Sequence, residues 1–259
     1  METGKSFYRE IFNSEEYASS LYAEAVRPGL QDFIKQYNLQ KARLLDVGCG
    51  RAWFQDLNEN WVGLDISETV GRYAKHKFIC GSAEFIPLKN ECIDAIWSIT
   101  FLEHSLDPEK ALLEMVRVLS DGGVIYMAPA WRVPPWRPKG YEIKRFYELN
   151  AISRIFKTFL PLFNFIWMKG IFWIPRRLIK ELSWALFREP TQLNYVAFAP
   201  NLKEFLLPDS DARNSLDNHE VLLWFLSRGF IARENRNWFK RIFIRCGPIT
   251  VIKRNNLAK

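Results

Sequence analysis

The chain has 259 residues, 48% of them hydrophobic and 25% charged, enough for one sizeable core with an insertion and too apolar for a disordered chain. Its net charge of +7 is local: residues 129–190 hold twelve Lys/Arg against four Asp/Glu, a net +8, which leaves −1 for everything else. The cysteines at 49, 80, 92 and 246 form no C-x-x-C pair, so the usual zinc and redox signatures are missing and small reduced thiols are expected.

The opening METGKSFYRE lacks a basic-then-apolar leader, and a cytoplasmic location is expected. Residues 14–37 read as helix, with Ser14 as cap, Glu15 and Glu16 in the first turn, and a split at Pro28-Gly29. Short apolar runs follow at 43–48, 61–66, 77–80, 92–99 and 123–128, which read as buried strands with helical stretches between most of them. The best-marked helix is Pro108 to Leu119. Asp107 caps it, Pro108 takes its first position, Ala111, Leu112, Met115, Val116 and Leu119 make its apolar face, and Asp121-Gly122-Gly123 ends it. Strand–helix alternation implies a parallel sheet with helices on both faces. The alternation stops after residue 128 and resumes near Asp217, where Asp217 and Glu220 have capping-box spacing and Gly229 follows the helix. Strand-like runs near 230–237 and 241–253 close the chain, with a bulge or turn at Arg245 to Pro248.

The first strand delivers Asp46, Gly48, Cys49 and Gly50 at its carboxyl edge, where ligands of open α/β sheets bind. Glycines there admit a ligand to the backbone. Asp65 ends the second strand fifteen residues after Gly50, placed to accept hydrogen bonds from ribose hydroxyls. The spacing lacks G-x-G-x-x-G because position 53 is Trp, which disfavours a nicotinamide dehydrogenase.

Taken in order, LLDVGCG, VGLDIS, GSAEFIPLKNECIDAIWSI and LEHSLDPEKALLEMVRVLSDGGVIYMA resemble a class I S-adenosylmethionine-dependent methyltransferase, of the broad set that includes the ubiquinone-biosynthesis enzymes. The resemblance covers about residues 43–128 and the closing helix and strands. It implies a Rossmann-like sheet and S-adenosylmethionine as methyl donor. Asp46, Gly48, Cys49 and Gly50 would lie at the methionine end, Asp65 on the ribose, and Ile66 on the adenine. Ser82, Ala83 and Glu84 would border the adenine edge, and Ser98 would contact the donor through its backbone. Ala52 replaces the usual third glycine, and Ser82 a frequent Asp.

His104 follows the fourth strand at the mouth of this site. It reads either as the base that takes a proton from a hydroxyl acceptor or as a loop histidine that shapes the site. The position three before Glu103 is Thr100, where metal-binding relatives carry an acid, so no metal is expected. Asp209 and Asp211 read as a turn-forming loop, or as groups for sugar hydroxyls or a cation. His219 reads as solvated or capping.

The organisation expected is an N-terminal helical segment (1–40), a donor-binding Rossmann-like core (41–128), a hydrophobic, basic, mostly helical insertion after the fifth strand (129–214), and a closing helix and strands (215–259). The longest uncharged run in the insertion, Thr158 to Met168, is eleven residues, too short for a bilayer span of about 20. Pro161 and Gly170 interrupt it. Arg176 to Phe187 reads as a helix with Leu178, Ile179, Leu182, Ala185 and Leu186 on one side, edged by Arg176, Arg177 and Lys180. Such a segment fits an anionic membrane surface, a lid over the site, or a partner surface; its apolar bulk disfavours nucleic acid. The expected activity is O-methylation of a lipid, prenyl compound or lipid-linked saccharide at a membrane. The alternatives are a soluble small-metabolite methyltransferase with the insertion as lid, and a non-catalytic adaptor.

Overall fold

The computed structural model describes Phe7 and residues 20–164, 166–203, 206–233, 237–243 and 247–255, the side chains of 20–23, 163–164, 166–169 and 172 excepted. Ser14, Glu15, Glu16, and Arg245 and Cys246 of the expected turn at Arg245 to Pro248, lie outside the described residues.

A seven-stranded sheet organises the chain. Its strands are β1 (Leu44–Val47), β2 (Trp61–Asp65), β3 (Lys77–Cys80), β4 (Ile93–Ile99), β5 (Leu119–Ala128), β8 (Ile231–Ala232) and β9 (Ile249–Ile252). They lie in the order β3-β2-β1-β4-β5-β9-β8. β1 to β5 are parallel, and β9 pairs antiparallel with both β5 and β8. A separate two-stranded ribbon joins β6 (Val196–Ala197) to β7 (Asn214–Ser215). The expected α/β class with a largely parallel sheet is therefore the one observed.

Residue alternation gives the sheet two apolar faces. On one, Leu44, Ala95, Trp97 and Tyr126 pack with Leu30 and Phe33 of helix α1 (Ser20–Tyr37). On the other, Leu45, Val47, Ile96, Ile125 and Met127 meet Ala111, Leu112 and Met115 of α2 (Pro108–Val118) and Leu222 and Phe225 of α5 (Asn218–Ser227).

Several local expectations need correction. Pro28 does not split the first helix, which runs unbroken through it. Gly29 serves close packing instead: a Cβ there would sit 2.7 Å from the Tyr126 hydroxyl. Among the links from β1 to β5, only the one between β4 and β5 holds an α-helix, α2. The links between β1 and β2 and between β2 and β3 hold single 3-10 turns, Gln55–Leu57 and Glu68–Arg72. Asp107 caps α2 as expected, accepting from Lys110 N at 3.0 Å. Asp121-Gly122-Gly123 does not end that helix; it lies within β5, where the register against β4 jumps from Ile93–Leu119 to Ala95–Val124. The excess residues form a bulge, and the strand resumes at Val124. Trp238–Ile242 is a short helix, α6, so Arg241 and Ile242 do not open the last strand.

The insertion folds as α3 (Ala151–Asn164) and α4 (Ile166–Phe187). α4 begins ten residues before Arg176, so Gly170 and Pro175 lie inside it. It covers the outer side of α5, which is why α5 is buried from Asn218 through Phe225. Glu220 does not close a capping box; its carboxylate is held by Lys180 Nζ at 2.9 Å and Arg176 Nε at 3.5 Å. His219 is neither solvated nor exposed. It is fully buried, with Nε2 at 3.1 Å from Glu181 Oε1 of α4.

Candidate active site

The loop leaving β1 is stitched to β2. Gly48 N and Cys49 N both donate to Leu64 O, at 2.8 and 3.1 Å. Gly50 N donates to Asp65 Oδ2 at 3.0 Å, and Ser67 N to Asp65 Oδ1 at 2.9 Å. Asp65 therefore fixes the loop and its own strand end together, at the carboxyl edge of the sheet. Burial raises its pKa, and the N–H donors of Ser67, Gly50 and Ile66 pull the other way. Gly48, Gly50 and Ala52 all have positive φ, 74°, 49° and 55°. Ala52 thus takes up the left-handed conformation of the glycine it replaces.

Gly48 has a second constraint, since a Cβ there would lie 2.5 Å from the Phe101 ring. Gly48→Ala adds this clash to a left-handed strain of about 1–2 kcal/mol. We expect a loss of about 2 kcal/mol or more in denaturant unfolding, and donor affinity at least tenfold weaker by calorimetry. Wild-type affinity in this variant would show that the loop does not face the donor.

The other donor-side residues divide by where their side chains go. Ile66 is half exposed beside Asp65, presenting a flat apolar surface. Asp46 turns inward, where Trp61 Nε1 donates to it at 3.2 Å; burial pushes its carboxyl up to about 7. The Cys49 thiol is also buried, facing Gly63, and burial pushes its pKa up. Ser98 Oγ donates to Val47 O at 3.1 Å and ties β4 to β1. Ala83 is buried, and Ser82 Oγ accepts from Glu84 N at 3.2 Å. Glu84 Oε1 receives Ser105 Oγ at 3.1 Å, Leu106 N at 3.1 Å and Asp107 N at 3.0 Å. Its side chain holds the loop that launches α2. Asp46, Cys49, Ser98 and Glu84 thus act on the frame of the site through their side chains.

Across the mouth lies a polar cluster. Glu103 is fully buried, and its Oε1 accepts from Ala130 N at 2.9 Å. His104 Nδ1 lies 3.2 Å from Asp211 Oδ2, and its Nε2 3.8 Å from Glu103 Oε1. The loop carrying Asp209 and Asp211 is the expected turn, with Ser210 N bonded to Leu207 O, and it is anchored by Arg213 N to Glu103 O at 2.8 Å. Burial alone would lower the His104 pKa, but Asp211, Glu103 and Asp209 raise it to about 10. Burial raises the Glu103 carboxyl to about 7.

Glu103, His104 and Asp209 offer ligand atoms within 4.8 Å of one another, a spacing that a cation fits. The expectation of no metal looked upstream to Thr100; the third ligand group is Asp209, about a hundred residues downstream, in the loop also read as able to hold a cation. Asp211, named in the sequence as part of a turn-forming loop, is fully buried against His104. Phe101, over Gly48, carried no sequence signal.

Beside the cluster is a cavity of about 480 Å³ lined by Val26, Gly29, Tyr126, Ala130, Trp131 and Pro248, among others. Its walls are mainly apolar, and Ala130 is the residue that donates to Glu103.

The chain is also similar in sequence to known proteins. The methyltransferase-domain family matches residues 45–127. An uncharacterised protein of Methanocaldococcus jannaschii is 35% identical over 34% of this chain and 36% of its own length. The ubiquinone biosynthesis O-methyltransferase of Parvibaculum lavamentivorans is 26% identical over 71% of this chain and 77% of its own. The match thus spans about a third of the first relative and about three quarters of the second. A solved protein of Pyrococcus horikoshii aligns over 96% of this chain and 95% of its own, with 18% identity and a TM-score of 0.48.

Proposed function

We propose, for a chain that is a class I S-adenosylmethionine-dependent methyltransferase, that the reaction is O-methylation of an apolar or lipid-linked acceptor at a membrane surface. The observation carrying this reading is the outer side of the insertion. Along α3, Ile152, Ile155, Phe159 and Leu162 recur at helical spacing and are all exposed. Along α4, Ile171, Ile174, Leu178, Leu182 and Leu186 do the same. Two such stripes on a segment of net +8 suit an interface where apolar side chains enter and cations meet anionic headgroups. Among the described residues no helix is long and apolar enough to cross a membrane. The polar and acidic neighbours of His104 suit a hydroxylated acceptor, and the adjacent cavity suits its apolar part.

In this reading the backbone of Gly48, Cys49 and Gly50 cradles the donor's methionine end. Asp65 takes the ribose, Ile66 packs on the adenine, and Ser82 and Ala83 border its edge. Asp46, Glu84 and Ser98 keep these groups in place. Methyl transfer from a sulfonium is an in-line displacement, so holding the acceptor oxygen behind the methyl supplies much of the acceleration. His104 takes the acceptor proton, with Asp211 behind Nδ1 to orient the ring and stabilise the imidazolium.

The raised pKa gives a signed test. A base with a pKa of about 10 is proton-free in only about one molecule in a thousand at pH 7. We therefore expect kcat/KM to climb close to tenfold per pH unit through the neutral range and to level toward pH 10. His104→Gln should lower it at least a hundredfold and flatten the slope. A profile unchanged by that substitution would remove His104 from proton transfer.

For the acceptor, incubating the protein with labelled donor and a membrane lipid extract should place the label in the organic phase. Label recovered only in water-soluble metabolites would favour the soluble reading, with the insertion as a lid.

A further inference from the structure

α6 shares with α4 an inverted polarity. A helix on a protein in water turns its charges out and its apolar side chains in. In α4, Arg177 and Glu181 are buried while Ile179, Leu186 and Phe187 are about 70% exposed. In α6, Arg241 and Ile242 point inward and Trp238, Phe239 and Phe243 are each about half exposed. The three rings meet in sequence along that outer side: Trp238 to Phe239 at 5.9 Å between centroids, and Phe239 to Phe243 at 4.8 Å. The two helices are joined through their buried charges, Arg241 Nε to Glu181 Oε1 and Nη2 to Oε2, both at 2.6 Å. Lys240 stands exposed among the aromatics, and Arg176 and Arg188 are exposed along α4.

Burying ions and displaying aromatics are both unfavourable in water. Done together on two joined helices, they are consistent when the outer medium is a bilayer interface, where aromatic rings sit at headgroup depth and exposed cations find anionic lipid. α6 lies in the closing part of the chain, outside the basic insertion, so it extends the face beyond the segment that its sequence marks.

We propose that α6 is an aromatic anchor that, with the outer side of α4, docks the protein on an anionic lipid bilayer. This rests on the membrane reading of the insertion given above and adds a second element to it.

The test is co-sedimentation of the full chain with phosphatidylcholine vesicles containing 0% or about 30% phosphatidylserine. Wild type should bind the anionic vesicles at least tenfold more strongly than the neutral ones. Trp238→Ala/Phe239→Ala/Phe243→Ala should bind at least tenfold more weakly than wild type while keeping wild-type donor affinity by calorimetry. Undiminished binding by this variant would overturn the anchor and leave the insertion reading standing. Absence of vesicle binding by wild type would overturn both. Wild-type self-association lost in the variant, without vesicle binding, would reassign the face to a second copy of the chain. Should the triple variant fail to fold, Phe243→Ser and Trp238→Ser are measured singly, each expected to weaken binding about threefold or more; no weakening in either overturns the anchor.

Discussion

Asp65→Ala should weaken S-adenosylmethionine binding by about a hundredfold or more, while leaving the protein folded. A carboxylate accepting from two ribose hydroxyls makes two charge-assisted bonds, each about 1.5–3 kcal/mol. Losing both corresponds to a factor of about 10² or more in affinity. The same carboxylate accepts from Gly50 N and Ser67 N, so its removal also loosens the loop that lines the donor.

Stability moves differently, and the sign follows from linkage. Burial raises the Asp65 pKa in the folded protein. A carboxyl whose folded pKa lies above its unfolded one opposes folding at neutral pH; the penalty shrinks as pH falls through the folded value and is gone below the unfolded one. Asp65→Asn should therefore hold or raise the melting temperature at pH 7 while still weakening donor binding at least tenfold. Calorimetry and thermal unfolding on the same samples separate the two effects. A variant that binds as wild type does would remove Asp65 from the donor site.

The meeting of Gly48, Gly50 and Asp65 was legible in the sequence because it is local. Gly48, Gly50 and Asp65 lie at the ends of two adjacent apolar runs, and parallel strands bring such ends to one edge. The sheet's class was readable for the same reason. What local pattern could not supply was the partner of each polar side chain. Glu84 looked like a donor contact, yet its oxygen is taken up by the Ser105 to Asp107 loop. Asp211 read as part of a turn-forming loop or as a ligand group, and nothing in PDSDARN marks it as facing His104. α6 was missed because Trp238–Ile242 is dense in aromatic and β-branched residues, which favour strand by composition. Its Asn237 cap, accepting from Phe239 N at 2.8 Å, was the available signal. For α4 the apolar stripe was found but its direction was left open, because a sequence does not say whether a stripe faces core or solvent; in the fold it faces outward.

That direction explains what keeps α4 in place. With Leu178, Ile179, Leu182 and Leu186 outward, hydrophobic burial contributes little to docking it, and buried ion pairs take over. Arg177 donates through Nε to Asp217 Oδ2 at 2.7 Å, through Nη2 to Asn218 Oδ1 at 3.0 Å, and through Nη1 to Ile242 O at 2.6 Å. One arginine thus joins α4, the cap of α5 and the end of α6. Burial alone would raise the Asp217 pKa, but Arg177 and Arg132 hold it below its ordinary value. The stabilisation is accordingly complete above pH 4 or so and fades as pH falls further.

Arg177→Met removes the nearest partner of the buried Asp217 carboxylate, leaving it Arg132 at 3.1 Å, and takes a donor from Asn218 Oδ1, a change that costs about 3 kcal/mol. For a chain of this size each kcal/mol moves the melting temperature by about 2–4 °C. We expect a fall of about 10 °C at pH 7, read by thermal unfolding. Arg176→Met is the control, since Arg176 is 43% exposed and its pairing with Glu220 is worth under about 1 kcal/mol. Equal effects of the two substitutions would mean that α4 is held by something other than its buried ions. A much larger effect at 177 would fit a helix whose inner side is built from charge because its outer side is reserved for apolar contact.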